Sequence, residues 1–181
     1  MNLTAISKVV SHALRHEPWL YEIEMDEEGW ASVDSVITAL RQNSDDWRDL
    51  SLNDLTRMVD TNSKRRFEIQ GDRIRAFYGH SLPEKLRKQP GNPPIELYHG
   101  TDPLMVDRIR DEGLRPMQRQ YVHCSVDIAT AKQVGNRKSR NPVILTIRTV
   151  DAQQGGVVFY EGNHLVWLAD AIPARFIIFP Q

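Results

Sequence analysis

Ile6, Val9, Val10, Ala13 and Leu14 recur at the spacing of one face of a helix, and Pro18 stops the pattern from continuing. Thr4 is the expected N-cap of this first helix. A short strand and cap at Gly29-Trp30-Ala31-Ser32 precede a second helical pattern in Val33, Val36, Ile37 and Leu40. Ser51-Leu52-Asn53-Asp54 then reads as a capping box with Asp in place of the usual Glu, and it opens a helix carrying Leu55, Met58 and Val59 on one side. From Arg66 to Gln70 and from Arg73 to Tyr78 the period changes to the alternation of strands, around a turn at Gly71-Asp72. Helices followed by a hairpin predict a small winged-helix unit over residues 1–82.

Residues 83–94 interrupt both periods with Pro83, Pro90, Gly91, Pro93 and Pro94, and are expected to form a linker. Over residues 95–181 strands predominate, with two helices between them. Strands are predicted at Glu96 to His99, Val122 to Ser125, Val143 to Thr149, Val157 to Tyr160, Leu165 to Leu168 and Phe176 to Phe179. The helices are predicted from Asp102-Pro103 to near Gly113 and from Asp127 to Gly135. The fold class is therefore α+β, with the second half built on a sheet.

The chain has 181 residues, 40% of them hydrophobic, which suffices for packed cores in one or two domains. Its 23 Lys and Arg nearly balance 24 Asp and Glu, so the long-range attraction of a general nucleic-acid binder is absent and any RNA contact has to be local. Two basic stretches offer one, Lys64 to Arg75 and Arg115 to Arg140, though such runs are more often solvated faces. A single cysteine, Cys124, excludes an internal disulfide and a cysteine-rich zinc site, and fits a reducing, cytoplasmic setting. No apolar run reaches membrane-spanning length, so no membrane partner is expected. The first sixteen residues are amphipathic and free of acids, as in transit peptides, but they run directly into candidate catalytic residues and are read as part of the fold.

Chemistry could reside in Arg15-His16, Arg66, Arg119, His99 and His123. Each has a plainer reading: the first pair could simply cap a helix C-terminus, Arg66 could be a solvated edge charge and Arg119 an ordinary loop arginine. Together, several arginines would suit a phosphate, because guanidinium forks match its oxygens two at a time. His99 precedes Gly100-Thr101 and His123 precedes Cys124-Ser125, both read as strand ends. A glycine there could admit a ligand to the backbone, with imidazole and hydroxyl groups bonding a sugar. The scattered histidines have no metal-ligand spacing, and neither a Walker loop nor a dinucleotide-binding glycine signature occurs. Composition and spacing alone give a two-domain soluble protein with an anion site.

Taken in order, nine short motifs are more specific. They are Leu14-Arg15-His16, Gly29-Trp30, Lys64-Arg65-Arg66-Phe67, Ile74-Arg75-Ala76 with Gly79-His80-Ser81, Tyr98-His99-Gly100-Thr101, Met117 to Ser125, Val134-Gly135-Asn136-Arg137, Pro142-Val143-Ile144-Leu145 and Val166-Trp167-Leu168. Together they resemble the RNA 2′-phosphotransferase family over almost the whole chain. The resemblance implies an N-terminal winged-helix lobe that binds RNA and a C-terminal lobe of the ADP-ribosyltransferase fold that binds NAD⁺. It implies a catalytic tetrad of Arg15, His16, Arg66 and Arg119, and NAD⁺ contacts from His99, Gly100, Thr101, His123 and Ser125, with apolar Val166 where protein-modifying relatives often have Glu. The implied substrate is a tRNA-like RNA with an internal 2′-phosphate, the co-substrate NAD⁺, the metal requirement none and the chain monomeric. Phe77-Tyr78, Tyr121 and Asn163 to Val166 depart from the usual pattern. Two other functions are compatible with parts of this reading: a mono-ADP-ribosyltransferase acting on protein or nucleic-acid phosphate ends, and a non-enzymatic winged-helix protein that senses NAD.

Overall fold

Helix α1 spans Leu3–Arg15 and buries Ile6, Val10, Ala13 and Leu14 as its periodicity predicts. Its cap is Asn2 rather than Thr4: the Asn2 side-chain oxygen accepts the backbone N–H groups of Thr4 and Ala5, both at 3.1 Å. The helix starts two residues earlier than the threonine suggested, because asparagine satisfies the same orphan donors. Strand β1 is only Ala31–Ser32. Gly29 and Trp30 belong instead to a turn in which Gly29 takes φ +83° and the Asp26 carboxylate accepts from the N–H groups of Glu28 and Trp30. Ser32 caps α2, Val33–Asn43, and the capping box opens α3, Leu52–Asp60, with both reciprocal bonds between Ser51 and Asp54 formed.

Strands β2, Phe67–Gln70, and β3, Arg73–Ala76, form the expected hairpin, with Gly71 at φ +61° in its turn. β1 adds to β3, giving a three-stranded sheet in the order β1-β3-β2. Leu14, Leu40, Leu55, Met58 and Ile74 from the three helices and this sheet, with Leu50 from the segment before α3, close one apolar core. The structure, a computed structural model, describes residues 2–61 and 65–180. Lys64, counted above in a basic stretch and a motif, lies outside the described residues.

The chain divides into two compact units, one ending at Arg87 and the other starting at Lys88. The boundary falls within residues 83–94, which are attached to the unit on either side. Leu86 is buried against Gly29 and Arg87 donates its N–H to Glu27 in the first unit. Pro90 bridges to Tyr160 and Gly91 donates to Phe159 in the second. The proline-rich composition prevents regular structure there without preventing attachment.

The second unit holds β4 (Glu96–Thr101), α4 (Val106–Glu112), β5 (Val122–Ser125), α5 (Ile128–Gly135), β6 (Val143–Arg148), α6 (Thr149–Gln154), β7 (Phe159–Asn163), β8 (Val166–Ala169) and β9 (Ile177–Ile178). The strands form one antiparallel sheet in the order β7-β8-β5-β4-β6-β9. Leu97, Leu145, Ile147, Phe159 and Ala169 are central to its core. With two separate cores, helices and antiparallel sheets, the chain is α+β.

Several predicted bounds shift. Helix α6 was not foreseen: Thr149 opens it rather than ending a strand, and its Val150 is exposed, so six residues carry no helical apolar period. β4 runs past His99 to Thr101, and His123 lies near the start of β5, so neither histidine ends its strand. Val157 and Val158 precede β7, Leu165 precedes β8, and Phe176 sits in a 3₁₀ turn ahead of β9. Among the described residues no helix is long and apolar enough to cross a membrane.

Candidate functional site

In the first unit, Arg15 is the last residue of α1 and His16 its C-cap. Arg15 is not merely a solvated capping charge. Its guanidinium donates to the Arg66 carbonyl at 3.3 Å and lies 5.3 Å from the ring centres of both Phe67 and Tyr78, so aromatic faces and a backbone oxygen fix the fork. Gly79, at φ +88°, carries the chain past the same guanidinium in a conformation that L side chains resist. Ser81 then closes the helix end: its N–H donates to the Arg15 carbonyl at 2.9 Å, and its hydroxyl is 2.8 Å from His16 Nδ1. The run Gly79-His80-Ser81 thus orients both members of the Arg15-His16 pair. Arg66 sits immediately before β2, extends the ladder by accepting from Phe77 N–H, and lines a concavity beside α1.

In the second unit, β4 is bonded along all six residues to β6, and β5 along four to β8, yet β4 and β5 pair with each other only at Tyr98 and Ser125. A cleft of about 520 Å³ is lined by His99 and Thr101 of β4, by Val122 and His123 of β5 and by the loop that carries Arg119. His99 Nδ1 is 2.8 Å from the His123 carbonyl, and His123 Nδ1 is 2.9 Å from the Tyr121 carbonyl. A carbonyl only accepts, so both rings carry their proton on Nδ1 and present Nε2 as an acceptor when neutral. Burial lowers the pKa of His99, the bond to the His123 carbonyl opposes that shift, and the charges of Lys138 and Arg119 lower it further.

This shift fixes a pH dependence. His99 in the unfolded chain takes up its proton near the ordinary value of 6.5, before the folded protein does. Its contribution to stability is therefore complete above about 6.5 and declines as pH falls from there toward the folded value. We expect the loss of unfolding free energy between pH 7.5 and 5.5 to be smaller in His99→Gln than in the unsubstituted protein. Equal losses in denaturant titrations would show that His99 is not held neutral.

His99, Thr101, Arg119 and His123 are thus gathered at one cleft, whereas Gly100 and Ser125 do not line it. Ser125 is buried in the β5 ladder. Gly100 packs closely on α5: a Cβ there would lie 2.2 Å from the Ala131 carbonyl oxygen and 3.1 Å from Gly135 Cα. Gly100→Ala should lower the unfolding free energy by about 1–3 kcal/mol, the usual cost of overpacking. An unchanged denaturation midpoint would contradict that packing role.

Sequence reasoning missed Lys138, which lines the cleft and acts on His99, and Arg115 beside it. Their only signal was membership of the basic stretch from Arg115 to Arg140. In the other stretch Arg73 and Arg75 are neutralised: they lie 5.0 and 4.3 Å over the Trp30 ring, and pair with Asp26 and with Glu28 and Glu68 respectively. Tyr121 is buried edge-on to Tyr160, and burial, then Asp170 and Tyr160, push its phenol up to about 12. Cys124 points into the core, where burial raises its thiol to about 12 and leaves it without nucleophilic character. No cluster of metal-ligating side chains occurs among the described residues.

Chemically, the first unit offers a fixed guanidinium beside an oriented imidazole, suited to an anion that must also exchange a proton. The second offers a concave site with two imidazole acceptors and several cations, suited to a polyhydroxylated anion such as a nucleotide. The family model described as "RNA 2'-phosphotransferase, Tpt1 / KptA family" matches residues 1–171. A probable RNA 2′-phosphotransferase of Bacillus thuringiensis subsp. konkukian is 52% identical over 174 residues, 96% of this chain and 94% of the relative. One from Acetivibrio thermocellus is 44% identical over 99% of this chain and 98% of its own length. Another, from Streptomyces griseus, is 40% identical over 96% and 94%. Matched at these identities along nearly its whole length, the chain belongs to the RNA 2′-phosphotransferase, Tpt1 / KptA family.

Proposed function

We propose that this protein removes an internal 2′-phosphate from RNA by transferring it to the ADP-ribose part of NAD⁺, which is consumed as a substrate. The first unit is then a winged-helix lobe that holds the RNA phosphate, and the second an ADP-ribosyltransferase-like lobe that holds NAD⁺. The observation that carries the NAD⁺ reading is the cleft of the second unit, where His99 and His123 are held by backbone carbonyls with Nε2 as acceptor, beside Arg119 and Lys138. Neutral imidazole acceptors suit ribose hydroxyls, and Lys138 and Arg115 of the same cleft suit a pyrophosphate.

In the first step an oxygen of the RNA 2′-phosphate attacks the ribose carbon that bears nicotinamide; the bond to the nicotinamide nitrogen breaks. A phosphate monoester, with its second pKa near 6, is already largely dianionic, so no general base is required and the apolar Val166 is no handicap. Arg15, Arg66 and Arg119 neutralise and orient that nucleophile. In the second step the ribose 2″-oxygen bonds to phosphorus, and the bond from phosphorus to the RNA 2′-oxygen breaks. His16 takes the proton from the 2″-hydroxyl and returns it to the RNA 2′-oxygen. Ser81 bonds Nδ1 of this ring, and the relay in this scheme runs through Nε2. The products are 2′-hydroxyl RNA, nicotinamide and ADP-ribose 1″,2″-cyclic phosphate.

Incubation with an oligonucleotide bearing one internal 2′-phosphate, with and without NAD⁺, tests this reading. Dephosphorylated RNA should form only with NAD⁺. Arrest at ADP-ribosylated RNA would mark a mono-ADP-ribosyltransferase, and no reaction with retained NAD⁺ binding would mark a sensor.

A further inference from the structure

We infer that the RNA strand leaving the transferred phosphate runs along α1 towards its N-terminus, where Lys8 meets one of its backbone phosphates. This rests on the proposed function of the Arg15, His16 and Arg66 group. At 100° per residue, Thr4, Ser7, Lys8, Ser11 and Arg15 share one face of α1, spanning about a quarter of its circumference. This face carries hydroxyls and cations but no acid. Its first two turns border a concavity of about 400 Å³ lined by Leu3, Thr4, Ser7 and Lys8 of α1, Met58 and Thr61 at the end of α3, and Arg66.

The concavity is continuous with the candidate catalytic group through Arg66, which lines it and whose carbonyl holds the Arg15 guanidinium. Among the described residues two cations, Lys8 and Arg66, line it and no carboxylate does, so the charge fits a polyanion. Leu3 and Met58 supply an apolar floor against which a sugar or base can rest. Seven residues separate Lys8 from Arg15, about 10 Å of helix. That is too far for Lys8 to touch the phosphate held by Arg15, and it is on the scale of a backbone phosphate up to about three nucleotides along the strand. Lys8 is exposed, so its position serves no packing need.

The test compares a 2′-phosphorylated dinucleotide with a ten-residue oligonucleotide carrying its 2′-phosphate near one end, in two versions that extend the strand in either direction. Lys8→Gln should raise KM for one of the two versions by about fivefold relative to the dinucleotide, and flatten the dependence of log KM on log salt by about 0.7. Lys8→Arg should restore both. Fluorescence anisotropy with the same oligonucleotides and no NAD⁺ should show the same loss of affinity. Unchanged KM ratios and salt slopes in both directions, or a loss of affinity that is equal for an acidic peptide, would overturn the inference. If neither oligonucleotide is turned over by the unsubstituted protein while Lys8-dependent RNA binding persists, the strand path stands and the proposed reaction falls.

Discussion

Replacing His16 with alanine should make ADP-ribosylated RNA accumulate, with nicotinamide released well before the cyclic phosphate appears. Under the proposed mechanism the two steps make different demands on this side chain. The attacking phosphate is already an anion and remains held by Arg15, whose fork is fixed by the Arg66 carbonyl and by Phe67 and Tyr78, none of which depends on the imidazole. Transesterification, in contrast, moves a proton from one hydroxyl oxygen to another, and arginine cannot titrate in the working range. Loss of a positioned acid–base group should slow that step by roughly 10²–10⁴-fold while leaving the first within about tenfold. Rapid-quench time courses would display the intermediate directly. Equal loss of both steps, with no intermediate at any time, would mean that His16 only positions the phosphate.

At Arg119 the expected result is that lysine is nearly as damaging as alanine, each lowering turnover by about 10²–10³-fold. A lysine keeps the charge but replaces a planar fork by a single point of donation, and two oxygens of a transferring phosphoryl group call for the fork. Arg119 is exposed in a polar loop, where its N–H donates to Pro116, so neither variant should unfold the protein. Thermal midpoints measured alongside the rates would verify this. A lysine variant with close to full turnover would show that charge alone suffices.

How legible all this was in the sequence varied with how local the signal was. The capping box at Ser51 to Asp54 and the hairpin around Gly71 were readable because each is complete within a few residues. Helix α6 was not, since its Thr149 is held by a bond to the distant Pro94 carbonyl and its exposed Val150 breaks any apolar face. The attachment of residues 83–94 escaped notice for the same reason: it depends on Glu27, Gly29 and Phe159, far away along the chain.

The site follows this rule too. Arg15 and His16 could be singled out as a pair, but their orientation by Ser81 and the Arg66 carbonyl comes from tertiary contacts. The cleft of the second unit arises where β4 and β5 pair at a single position, and no one segment encodes such a divergence. Gly100 shows the limit most plainly. A glycine beside a histidine reads as room for a ligand at the backbone, and nothing local tells that its missing Cβ makes room for the Ala131 carbonyl.

The fate of the phosphorus atom separates transfer to NAD⁺ from simple hydrolysis, and RNA labelled at its internal 2′-phosphate follows it. In a reaction with limiting NAD⁺, the label should pass into ADP-ribose 1″,2″-cyclic phosphate, in equal amount to the nicotinamide released and to the RNA 2′-hydroxyl formed. Recovery of the label as inorganic phosphate, or its release without NAD⁺, would make the protein a simple phosphatase and contradict the account.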